Sequence, residues 1–258
     1  MRKPVISLTS IPPRFGLLGP TLASLCAQSI AIDRIILWLP RHYGWRGFSA
    51  SDLPSVPAGV EIRHAQDLGP ATKLLPALAD APSEDTLIIY CDDDKIYEPQ
   101  WAAGLAAAAE AVPQRAVAWA GCRVGEITRR HLGRDGAMAM MTRWSGGLLQ
   151  PLKWQRPRAG AIDIAFGYSG VAVRPRFFRP AVFDVPADCL VDDVWHSGQL
   201  ALAGTALCKL PGRPPLRNCR NAELHALKHH GAGGQDRAAA DFLAMRYMQR
   251  HYGVWPEA

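Results

Sequence analysis

Asp92, Asp93 and Asp94 stand together directly after a short run of apolar and β-branched residues, 86–91. Such a run reads as a buried strand, which puts three carboxylates at its carboxyl end. Three like charges in one place repel, and burying them without partners is costly. A hard divalent cation removes the repulsion and keeps coordination positions open for phosphate oxygens. A solvated acidic turn that caps the next helix is the plainer alternative. Pro99 and Trp101 open that helix, expected over 99–112.

A second acidic pair, Asp192 and Asp193, lies at the first turn of an expected helix with apolar positions Val194, Leu200 and Leu202. Acidic residues at a helix start also serve as caps, and that reading stays open. Upstream of both groups, Gly69-Pro-Ala-Thr-Lys73 runs into another helix. There, backbone N–H groups and one cation would point toward a phosphate. The glycine spacing is not that of a Walker A loop.

The elements that must position these residues follow an α/β order. Residues 5–9 read as a strand, 10–14 as a Pro-punctuated loop, 17–29 as a helix and 34–39 as a second strand. That βαβ opening favours a parallel sheet, and ligands of such sheets bind outside the carboxyl ends of the strands. Further strands are expected at 60–64, 116–120 and 205–210, with a glycine-hinged approach to another over 162–173. Residues 41–59 read as a surface excursion with a helical turn near Asp52. The stretch 121–136, with Arg123, Arg129, Arg130, His131 and Arg134 among glycines, reads as loop or hairpin. Residues 137–158 carry Trp144, Trp154 and three methionines, suited either to stacking a sugar or to plain core. A closing helix is expected over 236–252, with Leu243 and Tyr247 on one side. No linker or repeat divides the chain.

Asp92-Asp93-Asp94 followed by Tyr97, Pro99 and Trp101 resembles the Asp-x-Asp region of the GT-A glycosyltransferases, in particular their family 2-like branch. The resemblance implies a Rossmann-like α/β fold: a mixed, mostly parallel sheet flanked by helices. It implies one catalytic domain over 1–258, with 1–120 as the nucleotide-sugar half and 121–258 as the acceptor half. The implied activity is metal-dependent, inverting transfer of a sugar from a nucleotide-sugar donor, a UDP-sugar foremost, to a glycan or glycolipid hydroxyl. Mn²⁺ or Mg²⁺ is the implied cofactor. Thr9, Ser10 and Arg14 match positions that hold the nucleotide, and Lys73 would meet the diphosphate or orient Asp92. Asp94 would hold the cation, joined by Asp92, while Asp93 and Asp192 would contact substrate. Asp193 matches the catalytic base. His229, with His230 behind it, stands before a Gly-rich turn where such enzymes carry a third metal ligand.

Composition sets the outer bounds. Of 258 residues 48% are hydrophobic and 20% charged, ordinary for a soluble globular protein. The net charge of +6 suits an anionic ligand, but the basic residues are scattered, which argues against nucleic acid. Six cysteines occur without a Cys-x-x-Cys pair, so zinc and redox motifs are unsupported. With no signal-like or membrane-length apolar run, a cytoplasmic location is expected, and the Ala-, Arg-, Gly- and Pro-rich composition fits a GC-rich bacterial genome. Arg246, Tyr247, Arg250, Tyr252 and Trp255 mix basic and aromatic side chains, which suits peripheral contact with the inner face of a membrane or packing on the domain. Two other classes compete. A nucleotidyltransferase of similar fold would want a Gly-rich phosphate loop after the first strand, and 9–14 has no glycine. A non-catalytic nucleotide- or glycan-binding protein would have no use for Asp193.

Overall fold

The computed structural model describes residues 3–44, 53–135, 159–186, 191–212, 214–219 and 237–256. Strands β1 (Val5–Thr9), β2 (Arg34–Pro40) and β3 (Val60–Ala65) open the chain, with helix α1 (Gly19–Cys26) between the first two. Helix α2 (Leu75–Ala79), strands β4 (Ile88–Tyr90) and β5 (Lys95–Tyr97), helix α3 (Trp101–Ala111) and strands β6 (Ala116–Ala118) and β7 (Gly121–Cys122) come next. Helix α4 (Val124–Asp135) is followed by β8 (Gly160–Ile162), β9 (Ile164–Ala165) and β10 (Val171–Val173). Helix α5 (Asp192–Leu202), β11 (Leu207–Lys209), β12 (Leu216–Asn218) and helix α6 (Arg237–Tyr252) complete the described elements.

Eight of these strands form one sheet in the order β3-β2-β1-β4-β10-β6-β11-β8. β10 runs antiparallel to β4 and β6, and β8 antiparallel to β11; the other pairings are parallel. This is the mixed, mostly parallel sheet expected. Its central strands are mostly apolar and buried, β4 wholly so, because helices cover both faces, whereas the edge strand β3 carries Glu61, Arg63 and His64. Alternate residues serve opposite sides. Ile6, Leu8, Leu37 and Ile89 pack with Leu22 of α1 and Leu105 of α3. Val5, Ile36, Ile88 and Val171 pack with Leu75 of α2 and Leu200 of α5.

One expectation is corrected. Within the stretch expected as loop or hairpin, 121–122 form β7 and 124–135 form α4. The Asp163 carboxylate accepts the Val124 N–H at 3.0 Å, and Glu126 accepts the Arg123 N–H at 3.0 Å. These bonds satisfy donors that a helix start leaves orphaned. Ile127 is buried and the His131 ring stacks on Phe242 of α6, 4.2 Å between centroids, so tertiary contact holds a helix whose sequence is mostly polar. In α6, Leu243 faces outward, 51% exposed, and the inward residues are Met245 and Met248. Tyr247, Tyr252 and Trp255 pack against the cluster around Trp195, which is the domain-packing reading of the closing aromatics. The expected turn near Asp52 and the aromatic segment 137–158 lie outside the described residues.

Candidate active site

Parallel pairing brings the ends of β1, β2, β3 and β4 to one edge of the sheet. Thr9 ends β1 and Ser10 follows it, Tyr43 follows β2, Asp67 follows β3 and Asp92 to Asp94 follow β4. Because β10 is antiparallel, with Val171 opposite Tyr90, its entry turn Gly167–Ser169 arrives at the same edge. Gly170, at φ +94°, closes that turn; a Cβ there would lie 2.4 Å from the Trp101 indole, so only glycine fits.

One cavity is lined by Thr9, Ser10, Arg14, Lys73, Asp92, Asp93, Asp192 and Asp193. These are the candidates drawn from the sequence, apart from Asp94 and His229. Lys73 joins two of the cavity's carboxylates. Its Nζ donates to Asp92 Oδ1 at 2.5 Å and lies 3.0 Å from Asp192 Oδ2. The ammonium is buried, which works against its charge. The surrounding carboxylates Asp192, Asp92 and Asp193 overcome that and raise its pKa well above the usual lysine value. Burial pushes Asp192 up as well, but Lys73 and then His196 pull it below the usual carboxylate range.

Asp193 goes the other way. Burial first, and the neighbouring Asp192 charge second, raise its pKa to about 7, against Lys73 and Arg237. Its Oδ1 accepts the Gly167 N–H at 2.8 Å. Its Oδ2 accepts from Arg237 Nη2 at 3.5 Å. A carboxylate poised near neutral pH at the wall of a cleft is the arrangement general-base chemistry needs.

The acidic triplet divides its work. Asp93 is buried and accepts from Ser10 Oγ at 2.5 Å and from Arg14 Nη1 at 2.5 Å. Burial raises its pKa, with Arg14 and Ser10 opposing. Asp94 pairs with Lys95 at 2.5 Å and with Arg14 at 3.3 Å. It lines a second cavity, which meets the first at Arg14 and Asp93. The Thr9 hydroxyl is spent on the Trp38 carbonyl at 2.8 Å. Ser10 and Arg14 thus hold the Asp93 carboxylate as well as facing the cavity.

Tyr43, Asp67 and Arg237 also line the first cavity and were not among the sequence candidates. Nor was the Gly167 N–H that orients Asp193. A Gly inside Phe-Gly-Tyr-Ser-Gly was a signal of close backbone approach, but Tyr43 and Arg237 lie in stretches with no pattern to mark them. His229 and His230 lie outside the described residues.

No family model matches the chain, and no curated protein does. Solved structures do. The crystal structure of S. aureus TarS 1-349 aligns over 96% of this chain and 72% of its own, at 10% identity and a TM-score of 0.49. Glucosyl-3-phosphoglycerate synthase from Mycobacterium tuberculosis, in complex with Mn²⁺, UDP-glucose and phosphoglyceric acid, aligns over 96% and 79%, at 14% identity and a TM-score of 0.49. A further mycobacterial protein covers 88% and 71% at 17% identity and a TM-score of 0.47.

Among the described residues no cluster of three or more His, Cys, Asp or Glu is arranged to hold a metal ion. The donor chemistry at the triplet nevertheless suits Mn²⁺ or Mg²⁺. Such ions take hard oxygen ligands, and Mg²⁺ is often held by one or two carboxylates with substrate phosphates completing the shell. Asp92 and Asp94 would supply those carboxylates.

Proposed function

We propose that this chain is a metal-dependent, inverting glycosyltransferase that takes its sugar from a nucleotide-sugar donor, a UDP-sugar foremost. The observation that carries the reading is Asp193. It is a buried carboxylate raised to about pH 7, it shares a cavity with Asp92, and Lys73 spans from Asp92 to the adjacent Asp192. A binding module needs no such base.

The donor's diphosphate would face Lys73, Asp92 and Asp94, with the nucleotide toward Thr9, Ser10 and Arg14. Asp92 and Asp94 would hold Mn²⁺ or Mg²⁺, which when bound supplies Lewis-acid stabilisation of the leaving diphosphate. Asp193 Oδ2 would take the proton from the acceptor hydroxyl. The acceptor oxygen forms its bond to the anomeric carbon as the carbon–oxygen bond to the diphosphate breaks, and that bond's electron pair leaves with the diphosphate oxygen. Residues 1–120 then form the donor half. Residues 121–258, which contribute Gly167, Asp193 and Arg237, form the acceptor half. The acceptor is a hydroxyl of a glycan or glycolipid. Among the described residues no helix is long and apolar enough to cross a membrane.

Two measurements test the reading. Incubation with UDP-sugars and other nucleotide sugars in Mn²⁺ should release the nucleoside diphosphate. NMR of the product from an α-linked donor should show a β linkage. Retained configuration would leave Asp193 without its role, and absence of any Mn²⁺-dependent release would remove the enzyme reading.

A further inference from the structure

The inner stripe of α5 carries polar side chains that the proposed chemistry does not use. Asp192, His196 and Gln199 follow at i, i+4 and i+7, and all three are buried. Tyr90 of β4 meets the His196 ring edge-on, 5.5 Å between centroids. Neither ring nitrogen of His196, neither end of the Gln199 amide, nor the Tyr90 hydroxyl hydrogen-bonds a described residue. Buried polar groups are rarely left so; they meet one another or ordered water. His196 Nδ1 is 3.9 Å from Asp192 Oδ2, just beyond hydrogen-bond reach. Burial lowers the pKa of His196 to about 4, so at neutral pH one ring nitrogen donates and the other accepts.

We propose that His196 is a positioning residue, whose Nδ1–H donates to Asp192 and fixes that carboxylate against Lys73, while Nε2 joins Tyr90 and Gln199 in a buried hydrogen-bonded network. What Asp192 and Lys73 are positioned for rests on the glycosyl-transfer reading; the contact itself does not. The titratable and charged groups facing this network are Tyr90 on β4, Asp92 after it, Lys73 from the turn before α2, Asp192 and Asp193 on α5, and Arg237 on α6. The charge on Asp192 is one cause of the raised Asp193 pKa. A loosened Asp192 would therefore draw the titrations of the two carboxylates together.

His196→Phe keeps a ring against Tyr90 and removes both nitrogens. His196→Asn puts an amide nitrogen where Nδ1 stands, and His196→Gln puts one nearer Nε2. Carboxyl ¹³C NMR of the ligand-free protein reads the Asp192 and Asp193 titrations directly. The Phe variant should narrow the gap between them by about half a pH unit or more, Asn should restore it and Gln should not. In a transfer assay the Phe variant should lose about tenfold or more in kcat with little change in donor KM, and Asn should recover most of it. A Phe variant with the wild-type gap and kcat overturns the proposal. Should Phe not fold, equal gaps in the Asn and Gln variants overturn it instead. If no donor is ever turned over but the gap narrows in Phe and returns in Asn, the transferase reading falls and His196 keeps its role. If transfer is found and the gap never moves, His196 falls alone.

Discussion

Replacing Asp193 by Asn separates the electrostatic cost of this carboxylate from its chemistry. In the folded chain Asp193 titrates at about 7, and in an unfolded chain an aspartate titrates at about 3.9. Between those values the folded state binds more protons than the unfolded one, so this group makes the native chain lose stability as pH rises from about 4 to about 7. Asn never ionises and escapes that loss. Its Oδ1 can still accept the Gly167 N–H that Asp193 accepts at 2.8 Å. One pKa unit corresponds to about 1.4 kcal/mol. Going from pH 5 to pH 8 crosses about two units of the window, so the stability of D193N relative to wild type should grow by about 3 kcal/mol. Urea unfolding of both proteins at the two pH values measures it, and titrations common to both cancel. In a transfer assay the variant should lose about 10²–10⁴-fold, the usual contribution of a general base, while nucleoside diphosphate binding persists. Wild-type turnover should fall on the acid side of about pH 7. A stability difference that is the same at both pH values would refute the buried-base reasoning, and full turnover would remove Asp193 from the reaction.

Three further outcomes follow from the same geometry. In Gly167→Ala the new Cβ would stand 2.9 Å from Lys73 Nζ and 3.0 Å from Asp193 Oδ1. Both are ends of side chains that can swing, so calorimetry should show a melting temperature within about 3 °C of wild type while turnover drops about tenfold or more from misplacement. Lys73→Met strips the buried Asp192 of its cation, and urea unfolding at neutral pH should show a loss of about 3–5 kcal/mol; a loss under about 1 kcal/mol would mean the pair is not the electrostatic centre drawn here. Asp94→Ala should weaken nucleoside diphosphate binding about tenfold or more in Mn²⁺ and far less in EDTA. Equal weakening, read by calorimetric titration, would leave Asp94 only its ion pairs with Arg14 and Lys95.

The sheet and the two acidic groups were legible because buried parallel strands and helix starts leave short-range marks. The apolar run before Asp92 and the paired acids before Val194 each sit within a window of a few residues. What the sequence did not disclose depends on distant partners. Part of the capping of helix α4 comes from Asp163, 39 residues on, which accepts the Val124 N–H, and no local pattern announces that bond. Asp93 looked like its two neighbours, yet Ser10 and Arg14 claim its carboxylate from 83 and 79 residues away. Arg237 reaches Asp193 across 44 residues, from the first turn of a helix whose sequence suggested only packing or a surface.

Tyr97 and Trp101 show why the acidic triplet is followed by these aromatics. The Tyr97 hydroxyl accepts the Asp92 N–H at 3.1 Å, donates to the Asp92 carbonyl at 2.9 Å, and lies 3.3 Å from the Tyr168 carbonyl. The Trp101 indole donates to the Ser169 carbonyl at 2.7 Å and fills the space beside Gly170. One short segment therefore fastens the backbone of Asp92 and the turn whose Gly167 N–H holds Asp193. A leaving group and a base at opposite ends of one reacting bond need their separation held to within about half an ångström. Buried hydrogen bonds to backbone carbonyls can hold it that closely, whereas surface loops, which carry most binding residues, are the mobile part of a fold. On the glycosyl-transfer reading, the β5–α3 segment would thus help set the spacing between the two carboxylates, and Tyr97 and Trp101 would act through the backbone they hold.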